Sequence, residues 1–499
     1  MGVGDGKWGL PLIALATFCA NAITFFTRGD SFKTTIERPA MEHLTGPPND
    51  PAQRRTFSRT LTQVPSRRIL ARNDANGSKR HELHQSSPPR AHAALRRPTE
   101  TALYALVRDH LKTFLAYARE RYERGLPRYV EEELRAYLKC GVFAHGIVRA
   151  RCDACGHDLL VAFTCKSRTL CPSCAGRRMA NTAAAVVDGV LPDVPVRQYV
   201  LSLPWELRLL AAVEAPVLTA LGRIFVEAIF ASYRMRARRR SLERTQCGAI
   251  NFVQRFGSSL NLNVHFHVIL VDGVWTRSTD SRVQFHAAAP PSHAELAAIV
   301  ERVRARALAW LRGNGHIDEL PAEERSQEPT AQTALEACAA IAMARGQTRI
   351  LGADQERDES DHGSGRPGMD GAVESAGFNL HAGVSIPAGD DEGHEKLCRY
   401  AARPAVSMQR FRRLRGGLVA YHLKYVRGPR AKHRIMDPME CLARLAALVP
   451  PPRYPLVRYA GVLGPRSAWR KEIVPRPREA PSRCRPPPPA VHTKTSRGE

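Results

Sequence analysis

Residues 261–271 read NLNVHFHVILV. Side chains alternate across a strand, so Leu262, Val264, Phe266, Val268 and Leu270 share one face. The other face carries Asn261, Asn263, His265 and His267 before turning apolar at Ile269. One face is wholly apolar, and the other concentrates two amides and two imidazoles. Histidines two apart on a strand project side by side and can share one divalent ion. Imidazole suits several metals, so the pair alone does not name the ion. The bland alternative is a solvated sheet face that happens to carry histidine.

The same patterning extends outward. Strands are predicted at 197–203, 249–257 and 378–386, and helices at 215–236, 293–311 and 390–403. Upstream, TALYALVRDHLKTFLAYARERY places Leu103, Leu106, Val107, Leu111, Phe114 and Leu115 at helical spacing, and a second helix follows over 129–138. RRMANTAAAVVDGVL reads as an Ala-rich helix stopped by Pro192, and PMECLARLAALV as another, ended by three prolines. Residues 1–97 read as a disordered or spuriously translated extension, with Pro, Ser, Asn, Arg and His but no periodicity after Ser31. Leu10 to Phe26 is the one apolar run near membrane length, and a signal peptide there is only a formal option. The acidic, Gly-rich stretch of about 313–375 reads as an irregular insertion, and 476–499 as a disordered basic tail.

RCDACGHDLLVAFTCKSRTLCPSC contains Cys152-x-x-Cys155 and Cys171-x-x-Cys174, fifteen residues apart, which is zinc-ribbon spacing. Two knuckles on facing hairpins can complete a tetrahedron of thiolates around one Zn²⁺. A closed shell of this kind is structural, not catalytic. Cys165 between the knuckles or Cys140 before them could replace a ligand, but two complete pairs make that unnecessary. Paired thiols of this kind point to a reducing cytoplasm.

Candidate nucleophiles lie further along the chain. Tyr400 ends the helix DDEGHEKLCRYAARP beside Arg399 and Arg403, while Tyr421 and Tyr425 lie in a predicted strand over 418–426. Tyr400 is the first choice and Tyr421 the second; packing is the bland reading of each. From Arg399 to Arg434 eleven basic residues occur with no Asp or Glu, among them Arg410, Arg412 and Arg413. That single-sign run suits a DNA backbone. The whole chain agrees: 74 Lys+Arg against 48 Asp+Glu give +26, favouring a polyanionic partner, although Arg-rich composition alone can reflect a GC-rich genome.

From Pro98 to Lys471 the chain resembles bacterial rolling-circle transposases of the histidine-hydrophobic-histidine (HUH) type, the group named after insertion sequence ninety-one. The matching pieces are CDACG…LVAFTCKSRTLCPSC, VRQYVLSLPWELR, QRFGSSLNLNVHFHVILVDGVW, FNLHAGVSI, LCRYAARP, LARLAALVPPPR and VRYAGVLGP, in family order. The resemblance implies an α+β chain: a helical and zinc-ribbon DNA-binding domain over 98–190, then an HUH nuclease domain over 191–475 with a central antiparallel sheet flanked by helices. It implies that His265 and His267 hold Mg²⁺ or Mn²⁺ and that Tyr400 attacks DNA to leave a 5′-phosphotyrosine. Lys396 stands where two-tyrosine members carry their first tyrosine, so the chain resembles a single-tyrosine variant. Gln254 and His381 are candidate third ligands. The implied partner is single-stranded DNA at element ends and target, in the bacterial cytoplasm, with no membrane role. The rivals are a replication initiator or relaxase of the same chemistry, a non-catalytic zinc-ribbon DNA-binding protein, and an inactive remnant.

Overall fold

The computed structural model describes residues 32–37, 97–152, 158–278, 280–317, 333–344, 372–423 and 432–475. The expected leader-like run, the basic tail and Tyr425 lie outside them. The described residues fall in two compact units: 32–37, 97–98, 139–152 and 158–164 in one, and those of 99–138 and 165–475 in the other.

The smaller unit is a three-stranded antiparallel sheet in the order β1 (Phe32–Glu37), β2 (Ile147–Cys152), β3 (Asp158–Ala162). Val148 and Ala150 are buried, with Leu159 and Phe163 packed on them. An exposed Arg149–Asp158 pair at 2.6 Å crosses β2 and β3. So small an apolar cluster stabilises little by itself.

In the larger unit a six-stranded antiparallel sheet runs in the order β14 (Val457–Gly461), β5 (Gly248–Phe256), β6 (Leu262–Val271), β4 (Val196–Ser202), β10 (Phe378–Ile386), β9 (Ala372–Ser375). Strand β6, the stretch quoted above, is buried along its whole length. Its wholly apolar face packs under α5 (Ala215–Arg238), where the Phe225 and Phe266 rings lie 6.4 Å apart. Gly222 permits that approach, since a Cβ there would stand 3.0 Å from Phe266 and from the Asn251 amide. Helix α5 is long and apolar enough to cross a membrane, but 67% of that apolar window is buried inside the protein.

The opposite face is also covered, which corrects the solvated alternative. Toward the end of β6, Ile269 and Val271 join Ile250, Phe252 and Val196 beneath α3 (Pro172–Gly189) and α8 (Asp391–Ala401). Ala183 and Val186 of α3 belong to this core, and Arg168 donates to the carbonyls of Pro450, Pro451 and Tyr454. Accordingly, residues 99–138 and 165–190, expected to fold with the zinc ribbon, belong to the larger unit.

Further helices are α1 (Ala102–Arg121), α2 (Arg128–Lys139), α4 (Trp205–Val213), α6 (His293–Gly313), α9 (Pro438–Leu448) and α10 (Arg470–Ile473). Two short sheets, β7 (Gly273–Arg277) with β8 (Val283–Ala287), and β11 (Phe411–Arg413), β12 (Val419–His422), β13 (His433–Met436), complete the strands. One expectation fails inside the supposed irregular insertion. Residues Ala334–Met343 form α7, opened by a capping box between Thr333 and Glu336. Its Ala342 and Ala344 carbonyls accept from Arg444 of α9, which is 1% exposed. A short capped helix was hidden by the low-complexity residues flanking it. Arg255, equally buried, similarly donates to Ala212 at the end of α4 and Ala447 at the end of α9. Burial pulls its guanidinium down to about 10, still protonated at neutral pH.

Beyond β6 a charged network closes the end of the sheet. Arg197 pairs with Asp272 at 2.8 Å, both side chains under 10% exposed, and Tyr233 of α5 donates to the same carboxylate at 2.5 Å. Replacing Asp272 by Ala strands a guanidinium in the interior. We expect a loss of about 3–5 kcal/mol, read as a lowered denaturation midpoint. The double change Arg197→Met with Asp272→Leu should recover most of it, because no orphaned charge remains.

Candidate functional site

Both imidazoles of β6 are buried, His265 at 0% and His267 at 1% exposure, with ring centroids 4.9 Å apart. His265 Nδ1 lies 2.9 Å from the carbonyl oxygen of Asn263, a bond that requires its proton on Nδ1. His267 Nδ1 lies 2.9 Å from the side-chain amide of Gln198 on β4. With both Nδ1 atoms turned to the protein, Nε2 is the nitrogen each ring offers a metal. Burial, then the neighbouring His267, holds the His265 imidazole well below its usual range, so it is neutral at physiological pH. A neutral imidazole is the ligand form. The donor chemistry therefore fits a divalent ion.

The structure brings Tyr400 to this pair. In α8 the tyrosine is half-buried, and its ring centroid lies 5.5 Å from that of His267, edge on. Gln254 of β5 fixes the helix end: its amide nitrogen donates to the carbonyls of Tyr400 at 3.1 Å and Ala401 at 2.8 Å. The amide oxygen accepts from Arg403 Nε at 3.3 Å, and the Arg403 guanidinium stands 4.9 Å from the centre of the Tyr400 ring. Gln254 thus positions the tyrosine in this arrangement and does not ligate. His381 shares a row with His267 through Val200 but lies two strands away, about 10 Å.

The remaining sequence candidates scatter. Arg399 is exposed and pairs with Glu395, as Lys396 does with Glu392. Arg410 donates to Ser258 and His422 carbonyls, Arg412 is exposed, and Arg413 pairs with Asp109. Tyr421 is 1% exposed in the β11–β13 sheet, packed on Phe411 with Arg410 over its ring, and burial raises its phenol pKa. Gln198 escaped the sequence reading. Its signal was register: it sits on the strand adjoining β6, whose pairing alternation alone does not give.

A second group of side chains has metal chemistry. The sulfurs of Cys140, Cys165, Cys171 and Cys174 all lie within 4.8 Å of one another. Cys165 and Cys174 sulfurs are 3.6 Å apart, far beyond a disulfide and close to the roughly 3.8 Å edge of a tetrahedron with 2.3 Å bonds. Cys171 is the N-cap of α3 and Cys174 lies in its first turn. The preceding loop is pinned by Ser167, which donates to Glu133 at 2.6 Å and accepts from the Cys171 and Thr169 amides. Cys171 and Cys174 were expected here. Cys155 and the side chain of Cys152 lie outside the described residues, and Cys140 and Cys165 complete the described set. A four-thiolate shell supports a structural Zn²⁺. Replacing Cys165 by Ser should lower bound zinc by about one ion per chain, measured by elemental analysis. Unchanged zinc in that variant, with loss in Cys155→Ser, would restore the ribbon pairing.

Residues 106–203 match the family model Zn_Tnp_IS91, "Transposase zinc-binding domain", and residues 248–470 match Y2_Tnp, described as "Putative transposase". The second match contains His265, His267, Gln254 and Tyr400; the first contains all four clustered cysteines. No curated protein and no solved structure matched the chain. The two models together cover well over half of the sequence, in order; one falls on the cysteine cluster and the other on the histidine pair with Tyr400. The chain is an IS91-like transposase with an N-terminal zinc-binding domain.

Proposed function

We propose that this transposase nicks and rejoins single-stranded DNA at element ends through a 5′-phosphotyrosine on Tyr400, driving rolling-circle transposition. The observation that carries this reading is the Tyr400 ring 5.5 Å from His267, with Arg403 beside it. His265 and His267 would hold Mg²⁺ or Mn²⁺, which when bound draws charge from the scissile phosphate. The Tyr400 oxygen attacks phosphorus, the bond to the 3′-oxygen breaks, and the phenolic proton ends on the released 3′-hydroxyl. Arg403 supplies a cation where phosphate charge develops. Gln254 holds the backbone of the nucleophile, so its distance to the imidazoles is set before DNA arrives.

Rejoining needs no ATP, because the phosphotyrosine keeps the energy of the broken phosphodiester. With Lys396 exposed one turn before Tyr400 and paired to Glu392, one tyrosine does the chemistry. The thiolate site suits a reducing compartment, so we place the enzyme in the cytoplasm. The transposase family match argues against a replication initiator or relaxase.

The test incubates the protein with labelled single-stranded element ends and Mn²⁺. We expect an adduct that survives SDS, at least about a thousandfold slower in Tyr400→Phe and in His265→Ala. Adduct retained in Tyr400→Phe but lost in Tyr421→Phe moves the nucleophile. Transposition and DNA binding unaffected by Tyr400→Phe would mean a non-catalytic DNA-binding protein.

A further inference from the structure

Strand β4 ends at Ser202, which lies opposite His265 in the sheet. The chain then turns through Leu203 and the buried Pro204 and starts α4 at Trp205. Pro204 is backed by Gly377, whose φ of +79° and close approach suit glycine: a Cβ would stand 3.1 Å from the proline ring. Trp205 is 37% exposed, whereas Trp275, Trp310 and Trp469 are buried or half-buried. Arg208, one turn on, lies with its guanidinium 5.8 Å from the Trp205 ring centre, and its Nε donates to the Leu203 carbonyl at 3.0 Å.

An indole more than a third exposed, beside a guanidinium and three residues past the sheet partner of His265, has the composition of a nucleotide contact. A base can lay its face on an indole only when that face is not stacked within a duplex. We propose that Trp205 and Arg208 form a nucleotide subsite in which an unpaired base stacks on the indole and the guanidinium holds the adjoining phosphate. The subsite selects single-stranded over duplex DNA. The inference rests on the reading that the scissile phosphate is taken beside His265. An exposed tryptophan at a helix start with no ligand is the plain alternative.

The test measures binding by anisotropy of a labelled oligothymidine and of a duplex of equal length. Full-length protein is used with no added magnesium or manganese, so no adduct chemistry enters. Trp205→Ala should weaken oligothymidine binding about tenfold to a hundredfold and leave duplex binding within about twofold; Trp205→Phe should restore most of the loss. Oligothymidine should also quench the tryptophan emission of the parent protein, with that component missing in Trp205→Phe, a variant that keeps an aromatic ring at the position. Arg208→Gln should reduce the salt dependence by about one phosphate contact. Equal losses on both DNAs, no change in Trp205→Ala, or quenching unaltered in Trp205→Phe would overturn the subsite. These readouts do not depend on Tyr400. Absent adducts with a single-strand-specific Trp205 effect would sink the nucleophile alone, and the reverse pattern would sink the subsite alone.

Discussion

Two imidazoles on the central strand of a sheet that is covered on both faces create the governing constraint. A buried polar group is tolerated only where its hydrogen-bonding capacity is met, and each ring here turns Nδ1 to a group of the protein. Those same bonds fix the ring orientations. The helix that covers the polar half of this face cannot be purely apolar, and α8 differs around its circumference: Leu397, Cys398 and Ala401 join the apolar cluster, while Tyr400 meets His267. The side chain of Gln254 then binds the helix end to the neighbouring strand through two carbonyls. Covering the imidazoles and positioning the phenol are consequences of one packing arrangement.

The cysteine cluster follows a different logic. The cluster joins thiols distant in the chain, so an ion held there would contribute a linkage that local apolar packing does not. Its ligands come from unlike local structures: a helix N-cap, the first turn of that helix, a loop and the residue after α2. Ser167 and Glu133 hold the loop before any metal arrives, which lowers the ordering cost of forming the shell.

Alternation in residues 261–271 made β6 legible, because a period of two is a local property of the chain. Helices with continuous apolar stripes, such as α1 and α5, were legible for the same reason. The covering of the histidine face was not, since it depends on which helix returns to the sheet more than a hundred residues later. Spacing also favoured Cys152-x-x-Cys155 as ligands, whereas the described cluster gathers Cys140 and Cys165, one of them from before the first knuckle. Sequence distance ranks local pairs first; a thiol brought in by the end of a helix has no such mark. Trp205 carries no mark in the sequence either: an apolar residue opening a helix is ordinarily core, and only its exposure distinguishes it.

The proposed chemistry sets opposite demands on one short helix. A covalent intermediate that must later be reversed needs the tyrosine to stay within reach of the same two imidazoles while DNA strands exchange. Rigidity supplies that: Tyr400 occupies the last turn of α8, where Gln254 grips the backbone and Arg403 flanks the ring. Access requires the contrary, since a phosphate must enter beside side chains that are almost wholly buried. The half-exposed phenol marks the boundary between these demands. Its ring reaches inward to His267, while the helix face one turn earlier, at Lys396, is open to solvent. DNA approaching from that side would meet the nucleophile before the ligands, so the substrate's own phosphate would complete the site that the buried strand only begins.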